Sequence, residues 1–216
     1  TMTEMTISPF KGFNIKANST YNNTTSQSMN RQVNGKYSQI PGVIETLNTG
    51  LFLDKLTENI SFTNFKKFET YATYKNDSER GHNFKAMAGY TYETRHVKDI
   101  SAVGENLMSE NLNDLDLVGT NADGEKITNV SGGQTEYAAM SVFARLNYDY
   151  KERYLIELNG RYDGTSRFPM DSRWVMVPSA AIGWRISEED WLNKSAVNNL
   201  KLRASFGSLG NKNVTA

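Results

Sequence analysis

Apolar and polar residues alternate along much of this chain with a period of two. Over residues 142–150 one parity reads Val142, Ala144, Leu146, Tyr148, Tyr150, and the other, over residues 141–149, reads Ser141, Phe143, Arg145, Asn147, Asp149. After Lys151-Glu152-Arg153, Tyr154, Ile156, Leu158, Gly160 and Tyr162 alternate with Leu155, Glu157, Asn159, Arg161 and Asp163. Leu200, Leu202, Ala204 and Phe206 do the same against Lys201, Arg203, Ser205 and Gly207. Successive side chains of a strand point to opposite faces, so this pattern predicts strands with one apolar and one polar face. Less pure alternation marks Phe13 to Tyr21, Phe68 to Tyr74 (from a start near Ile60), Phe84 to Arg95 and Met176 to Arg185, and Thr3 to Ile7 reads as the end of a further strand. Pro178 has no N–H to give a ladder, which predicts a bulge or a locally unpaired position there.

The predicted connections are of two kinds, in alternation. Short ones fall at residues 8–12, 75–83, 151–153 and 187–199. Long polar ones fall at 22–59, 98–136 and 164–173. Tight turns at one end and long loops at the other characterise outer-membrane β-barrels, whereas a soluble sandwich has no reason to place every long loop at one end. Tyr148, Tyr150 and Tyr154 bracket a tight turn on the apolar parity, and Trp184 ends its strand, where an interfacial aromatic girdle needs rings; ordinary cross-strand pairs would look alike. Ser187-Glu188-Glu189-Asp190-Trp191-Leu192 reads as a Ser-capped helical turn with acids at its positive end, structural punctuation.

Composition changes the picture mainly by exclusion. Across 216 residues, 24 Lys plus Arg balance 24 Asp plus Glu. Nucleic-acid binders and polybasic membrane-surface proteins would show a basic excess. Without cysteine, disulfide scaffolds, thiol nucleophiles and cysteine zinc sites fall away. No apolar run reaches the roughly 20 residues a spanning helix needs, a statement that leaves β-barrels untouched.

Three segments near the C-terminus then carry a resemblance. Arg161-Tyr162-Asp163-Gly164-Thr165-Ser166-Arg167-Phe168 resembles the Arg-x-Asp-Gly-Ser-Ser-Arg-Phe hairpin of SusC/RagA-type TonB-dependent outer-membrane transporters. Pro178-Ser179-Ala180-Ala181-Ile182-Gly183-Trp184-Arg185 and the following Ile186-Ser187-Glu188-Glu189 look like the next strand and turn of that family. The segment from Asn198-Asn199-Leu200 through Phe206-Gly207 to Gly210-Asn211 is similar to the strand after it. Order and spacing match over residues 141–213. Gly81-His82-Asn83-Phe84 to Gly89-Tyr90 resembles an earlier strand more weakly, and Pro169 stands where the family usually has Gly. The resemblance implies an all-β fold: antiparallel up-and-down transmembrane strands, about eight of a plugged barrel of about 22. It further implies that residues 1–216 are a partial barrel domain without the plug. It implies a Gram-negative outer-membrane location, import of glycan or peptide oligomers, a SusD-like surface lipoprotein as lid, TonB acting through the missing plug, and lipid around the barrel. Two other readings of the pattern are a small, complete eight-stranded barrel acting as anchor or adhesin, and a soluble carbohydrate-binding β-sandwich. The first requires the first strand to pair with residues 200–207. The second requires the apolar faces to pack on one another.

Candidate chemistry is sparse. The residue 98–136 stretch holds Asp99, Glu105, Glu110, Asp114, Asp116, Asp123 and Glu125 against Lys98 and Lys126. It reads as a solvated acidic loop, with Asp114, Asp116 and Asp123, together with Arg167, as candidates for substrate contact. Asn121-Ala122-Asp123-Gly124-Glu125 resembles half a calcium loop but lacks the twelve-residue pattern, so no metal is assigned. Glu157 and Asp163 could suggest paired-carboxylate hydrolysis; beside Arg145 and Arg161 they read instead as mutually neutralised lumen charges. No enzyme, catalytic residue or cofactor is expected, and neither phosphate-loop motif occurs. Arg161 and Arg167 flank the Asp163-Gly164 turn and are expected to form salt bridges that pin the hairpin, Asp163 being a candidate partner. His82 and His96 read as exposed bystanders, and Ser131-Gly132-Gly133 as loop flexibility.

Overall fold

The structure, a computed structural model, describes residues 1–46, 54–121, 123–192 and 197–210. The elements are β1 (Met2–Phe10), β2 (Phe13–Gln32), β3 (Lys36–Tyr37), β4 (Glu45–Thr46), β5 (Lys55–Asp77), β6 (His82–Glu105), β7 (Thr128–Tyr150), β8 (Tyr154–Thr165), β9 (Trp174–Arg185) and β10 (Lys201–Gly207), with short 3₁₀ turns at Leu115–Leu117, Met170–Ser172 and Ile186–Glu188. Eight strands form one sheet in the order β1-β2-β5-β6-β7-β8-β9-β10, and β3 pairs with β4. The pairs β1–β2, β3–β4, β7–β8, β8–β9 and β9–β10 are antiparallel. The sequence neighbours along this sheet are its spatial neighbours, as in an up-and-down meander. β1 and β10 stand at opposite ends of the order and do not pair, which removes the closed eight-stranded barrel. Among the described residues no helix is long and apolar enough to cross a membrane.

The alternation read from sequence becomes rows across the sheet. Tyr150 faces Tyr154, which faces Trp184, which faces Leu202; Tyr148, Ile156, Ile182 and Ala204 form the next row, and Leu146, Leu158, Ala180 and Phe206 the one after. In β8 the apolar Tyr154, Ile156 and Leu158 are exposed while Leu155, Glu157 and Asn159 between them are half-buried; β9 repeats this from Met176 to Arg185. Phe206 is 82% exposed and Ile182 62%. This inverts the arrangement of a soluble sheet, and the apolar faces do not pack on each other, so the sandwich alternative fails. An antiparallel sheet with an exposed apolar face is stable where lipid covers that face.

Several expectations change. Residues 22–59 and 98–136 are not loops throughout: β2 runs on to Gln32, β5 starts at Lys55, β6 continues to Glu105 and β7 begins at Thr128. Their polar composition hid the strands because no apolar parity was left to alternate. Ser131-Gly132-Gly133 accordingly lies within β7, where a Cβ on Gly132 would come within 2.6 Å of the Asp99 carbonyl oxygen. Pro178 sits in unbroken register opposite Gly160, without a bulge. Its carbonyl accepts from Ser208 N at 3.1 Å, so its donor-less nitrogen faces the side on which the β10 ladder ends at Gly207 opposite Ser179. A bulge occurs instead between Ile7 and Phe10 in β1.

Two compact units divide the chain. The first comprises Thr1–Asn22, Phe65–Arg95 and Tyr137–Ala216; the second comprises Asn23–Asn64 and His96–Glu136. In the first unit the short turns are tied to one another through the backbone: Lys75 N donates to Gly12 O (2.7 Å), Lys151 N to Gly81 O (2.6 Å) and Arg185 N to Arg153 O (2.8 Å). Gly12 and Gly81 have φ of 84° and 82°, and Cβ atoms there would strike the neighbouring turn. In the second unit the connection at 106–127 is folded. Leu107 and Val118 pack on Leu56 at the start of β5, with Leu115 and Ile127 against them.

Replacing Leu158 by Arg places a cation on the exposed apolar row and is expected to cost about 2–4 kcal/mol of folding stability in lipid if the site lies near the bilayer midplane. Asn147→Arg, on the opposite face beside Glu157, is expected to cost well under half of that. Urea titration of protein reconstituted in phospholipid vesicles measures both.

Candidate functional site

The polar parity of β7, β8 and β9 is a connected surface. Arg145 Nε donates to Asn159 Oδ1 at 2.6 Å, and Asn159 Nδ2 donates to Glu157 Oε1 at 2.9 Å and to Ser179 Oγ at 3.2 Å. Arg161 Nε donates to Asp163 Oδ1 at 2.7 Å and its Nη2 to Ser141 Oγ at 3.0 Å. Asp163 and Ser141 are 7% and 2% exposed, so their polar groups depend on protein partners. On β5, Lys67 pairs with Glu69 at 2.8 Å. Both ion pairs join residues i and i+2, the spacing a strand brings to one face. A groove of about 410 Å³ runs over this surface, lined among others by Lys67, Glu93, Arg145 and Arg161. Gly89 lets it close: a Cβ there would lie 2.5 Å from the Phe143 ring and 2.6 Å from Tyr71 Cβ. The surface is charged in both signs and internally paired.

The residues singled out by sequence scatter. Arg161 meets Asp163. Arg167 instead lies over the Tyr137 ring, 3.9 Å from its centroid, and its backbone N donates to Thr165 Oγ1. Gly164 faces Trp174, whose ring would be 2.5 Å from a Cβ and stacks on Tyr162 at 5.0 Å. Asp114 Oδ1 accepts from Asp116 N and caps the 3₁₀ turn at Leu115–Leu117. The Asp116 carboxylate pairs with Lys126 at 2.5 Å, which holds its pKa below the ordinary value. Asp123 is exposed, and its N, like that of Glu125, donates to Asn121 Oδ1. Asp114 therefore caps its turn, Asp116 pairs with Lys126 and Asp123 is exposed, and among the described residues no group of three or more His, Asp or Glu is placed to hold a metal ion.

Two features were not anticipated. Ser187 does not cap a helix; it is buried inside the turn at Ile186–Glu188. The acids after it form a clasp: Glu189 Oε1 accepts from Tyr154 Oη (2.7 Å) and Trp184 Nε1 (2.9 Å), while Arg153 reaches Glu189 at 3.4 Å and Asp190 through two bonds of 3.2 and 2.7 Å. The polar tips of two girdle-type aromatics are thus tied to the turns beside them. His82 is exposed and joins the aromatics of β7. Its Nδ1 lies 2.8 Å from Tyr148 Oη and its ring 4.6 Å from that of Tyr150. His96 Nε2 lies 3.0 Å from Gln134 Oε1. The sequence signal for the clasp was faint: acids just beyond a strand ending in Trp.

Comparison with known proteins settles the family. The model of the TonB dependent receptor-like β-barrel family matches residues 5–211. The chain belongs to that family. It is 44% identical over 86 residues, 38% of its length, to the TonB-dependent receptor SusC of Bacteroides thetaiotaomicron, of which that match spans 9%. It is 30% identical over 148 residues, 68% of its length, to TonB-dependent receptor P3 of Formosa agariphila, of which the match spans 14%. Among solved structures, the RagAB peptide transporter superposes with a TM-score of 0.76 at 25% identity, covering 97% of this chain and 22% of that one. The chain is thus SusC/RagA-like, all-β and antiparallel, and spans a small part of the length of the relatives it matches.

Glu189 lies beyond the end of β9, and the Tyr154 and Trp184 hydrogen bonds, reinforced by Arg153, hold its pKa below the ordinary carboxylate value. A carboxyl whose folded pKa is depressed contributes stability that is complete above its unfolded value, about 4.3, and is lost as pH falls through the lower folded value. Glu189→Gln is expected to lower stability at neutral pH and to shrink its fall below pH of about 4. Equilibrium unfolding of the vesicle-inserted protein across that range tests this.

Proposed function

We propose that this chain is part of the barrel wall of a TonB-dependent outer-membrane importer of oligomeric nutrients, glycan or peptide. The observation that carries the reading is the two-sided sheet: exposed apolar rows ending in Tyr and Trp on one face, a paired polar surface on the other. Its membership of the family supports it, as do the likeness to SusC and to a structure described as a peptide transporter.

In this reading the apolar rows contact lipid and the polar rows line the lumen. Arg145, Glu157, Arg161 and Asp163 neutralise one another within the wall, leaving a hydrated surface against which a plug can seat without being trapped by unpaired charge. β5, β6 and β7 run 23, 24 and 23 residues, where about 9–11 suffice to cross. The surplus extends the wall past the hydrocarbon and carries the long connections toward substrate and a SusD-like surface lipoprotein. TonB acting on the plug supplies the energy, and no bond of the substrate is made or broken.

Deletion of the native gene is expected to abolish energy-dependent uptake of either a labelled casein peptide pool or a labelled oligosaccharide ladder, with the gene in trans restoring it. A protonophore is expected to stop the same uptake. Unchanged uptake of both pools in the deletion strain would contradict the proposal.

A further inference from the structure

Residues 98–136 read as a solvated acidic loop; the acids between β6 and β7 are exposed, and the connection that carries them is folded over a buried ion pair. Arg31, near the end of β2, meets Asp54, just ahead of β5, at 2.5 Å; their side chains are 11% and 12% exposed. Arg31 Nη2 also donates to Ser109 O at 3.2 Å, and Asp54 O accepts from Asn106 N at 2.8 Å. Both partners of the pair thereby hold the first turn of the connection. Lys36 and Glu110 add an exposed pair at 2.6 Å.

The pair is poorly satisfied for its burial. Arg31 Nε and Nη1 and Asp54 Oδ1 are buried without a hydrogen bond among the described residues, the 2.5 Å approach at Oδ1 lacking the alignment of one. A guanidinium offers five donors in a fixed fork, and each buried group left unfilled favours the hydrated, open arrangement. A buried ion pair with incomplete hydrogen bonding does no better than break even against desolvation. Closure must therefore come from elsewhere, from Leu107, Val118 and Leu115 on Leu56. A backbone position able to act as a pivot is also present: Asn106 has φ of 56°, a left-handed conformation that Asn tolerates. Gly119 packs on it so closely that a Cβ would lie 2.4 Å from Asn106 O.

We propose that the 106–127 connection is a latch held closed by its apolar cluster and kept poised to open about Asn106 by the under-bonded Arg31–Asp54 pair beneath it. The apolar cluster favours the closed position and the under-bonded ions oppose it, so the two positions lie close in free energy. The latch goes beyond the import reading and holds or fails whatever the protein transports.

Hydrogen–deuterium exchange of the native-length protein in lipid nanodiscs tests it, read on peptides covering residues 106–119 with peptides of β8 and β9 as the control for folding. Arg31→Met strands a buried carboxylate and is expected to speed exchange there by at least about tenfold, leaving β8 and β9 unchanged. The double variant Arg31→Met/Asp54→Leu replaces the ions by apolar groups and is expected to slow exchange below wild type by about fivefold or more, because the latch is then locked. This second variant also decides the matter if Arg31→Met fails to fold. Exchange as fast in the double variant as in Arg31→Met, or unaltered from wild type in either, would overturn the proposal.

Discussion

The structure depends on one constraint: backbone N–H and C=O groups that cross hydrocarbon must be satisfied by neighbouring strands, while side chains serve two solvents at once. An antiparallel meander meets the first demand and a period of two meets the second. The consequences are visible in the row Tyr150–Tyr154–Trp184–Leu202 and in its counterpart one residue over, where Asn159 bonds Arg145, Glu157 and Ser179. Large apolar residues are exposed, and Ser141, Asp163 and Glu189 are buried. What would be a misfolded surface in water is the expected one for a wall between lipid and an aqueous lumen.

Stability is distributed accordingly. The sheet's exposed face gains burial only from lipid, so cohesion among the described residues comes from cross-strand ladders, from i,i+2 ion pairs such as Arg161–Asp163, and from the turn end. There the Gly12–Lys75, Gly81–Lys151 and Arg153–Arg185 backbone bonds and the Glu189 clasp join successive hairpins. The second unit follows ordinary soluble rules: Leu56, Leu107 and Val118 bury one another, and Asp114 and Asn121 spend their side chains on turn backbone. One chain thus uses two packing regimes.

The sequence was most legible where both parities were informative. β7 from residue 141, β8 and β10 could be placed because apolar and polar residues alternate without interruption, and Asp163 was a candidate for Arg161 because Arg161 flanks the Asp163-Gly164 turn. It was least legible where both faces are polar. The outer halves of β2, β5, β6 and β7 show Ser, Thr, Asn and Gly on either parity, so they read as loops, and ladder hydrogen bonds leave no trace in composition. The clasp and the latch were hidden for another reason. Arg153 and Glu189 lie in different turns, Arg31 and Asp54 on either side of the residue 33–54 connection, and only the register of the folded sheet brings them together. The acids of 98–136 were visible, but their roles were not, since turn-capping and substrate contact use the same residue types.

The central claim is that the two parities of one strand face two solvents. It is tested most directly by placing a nitroxide at each position of β8 in turn, in the native-length protein reconstituted in bilayers, and measuring collision with oxygen and with a polar nickel chelate. Positions 154, 156, 158 and 162 are predicted to favour oxygen and 155, 157, 159 and 161 the chelate or neither, with a strict period of two. Equal accessibility of both parities to the chelate would contradict the account, since the apolar rows would then face water.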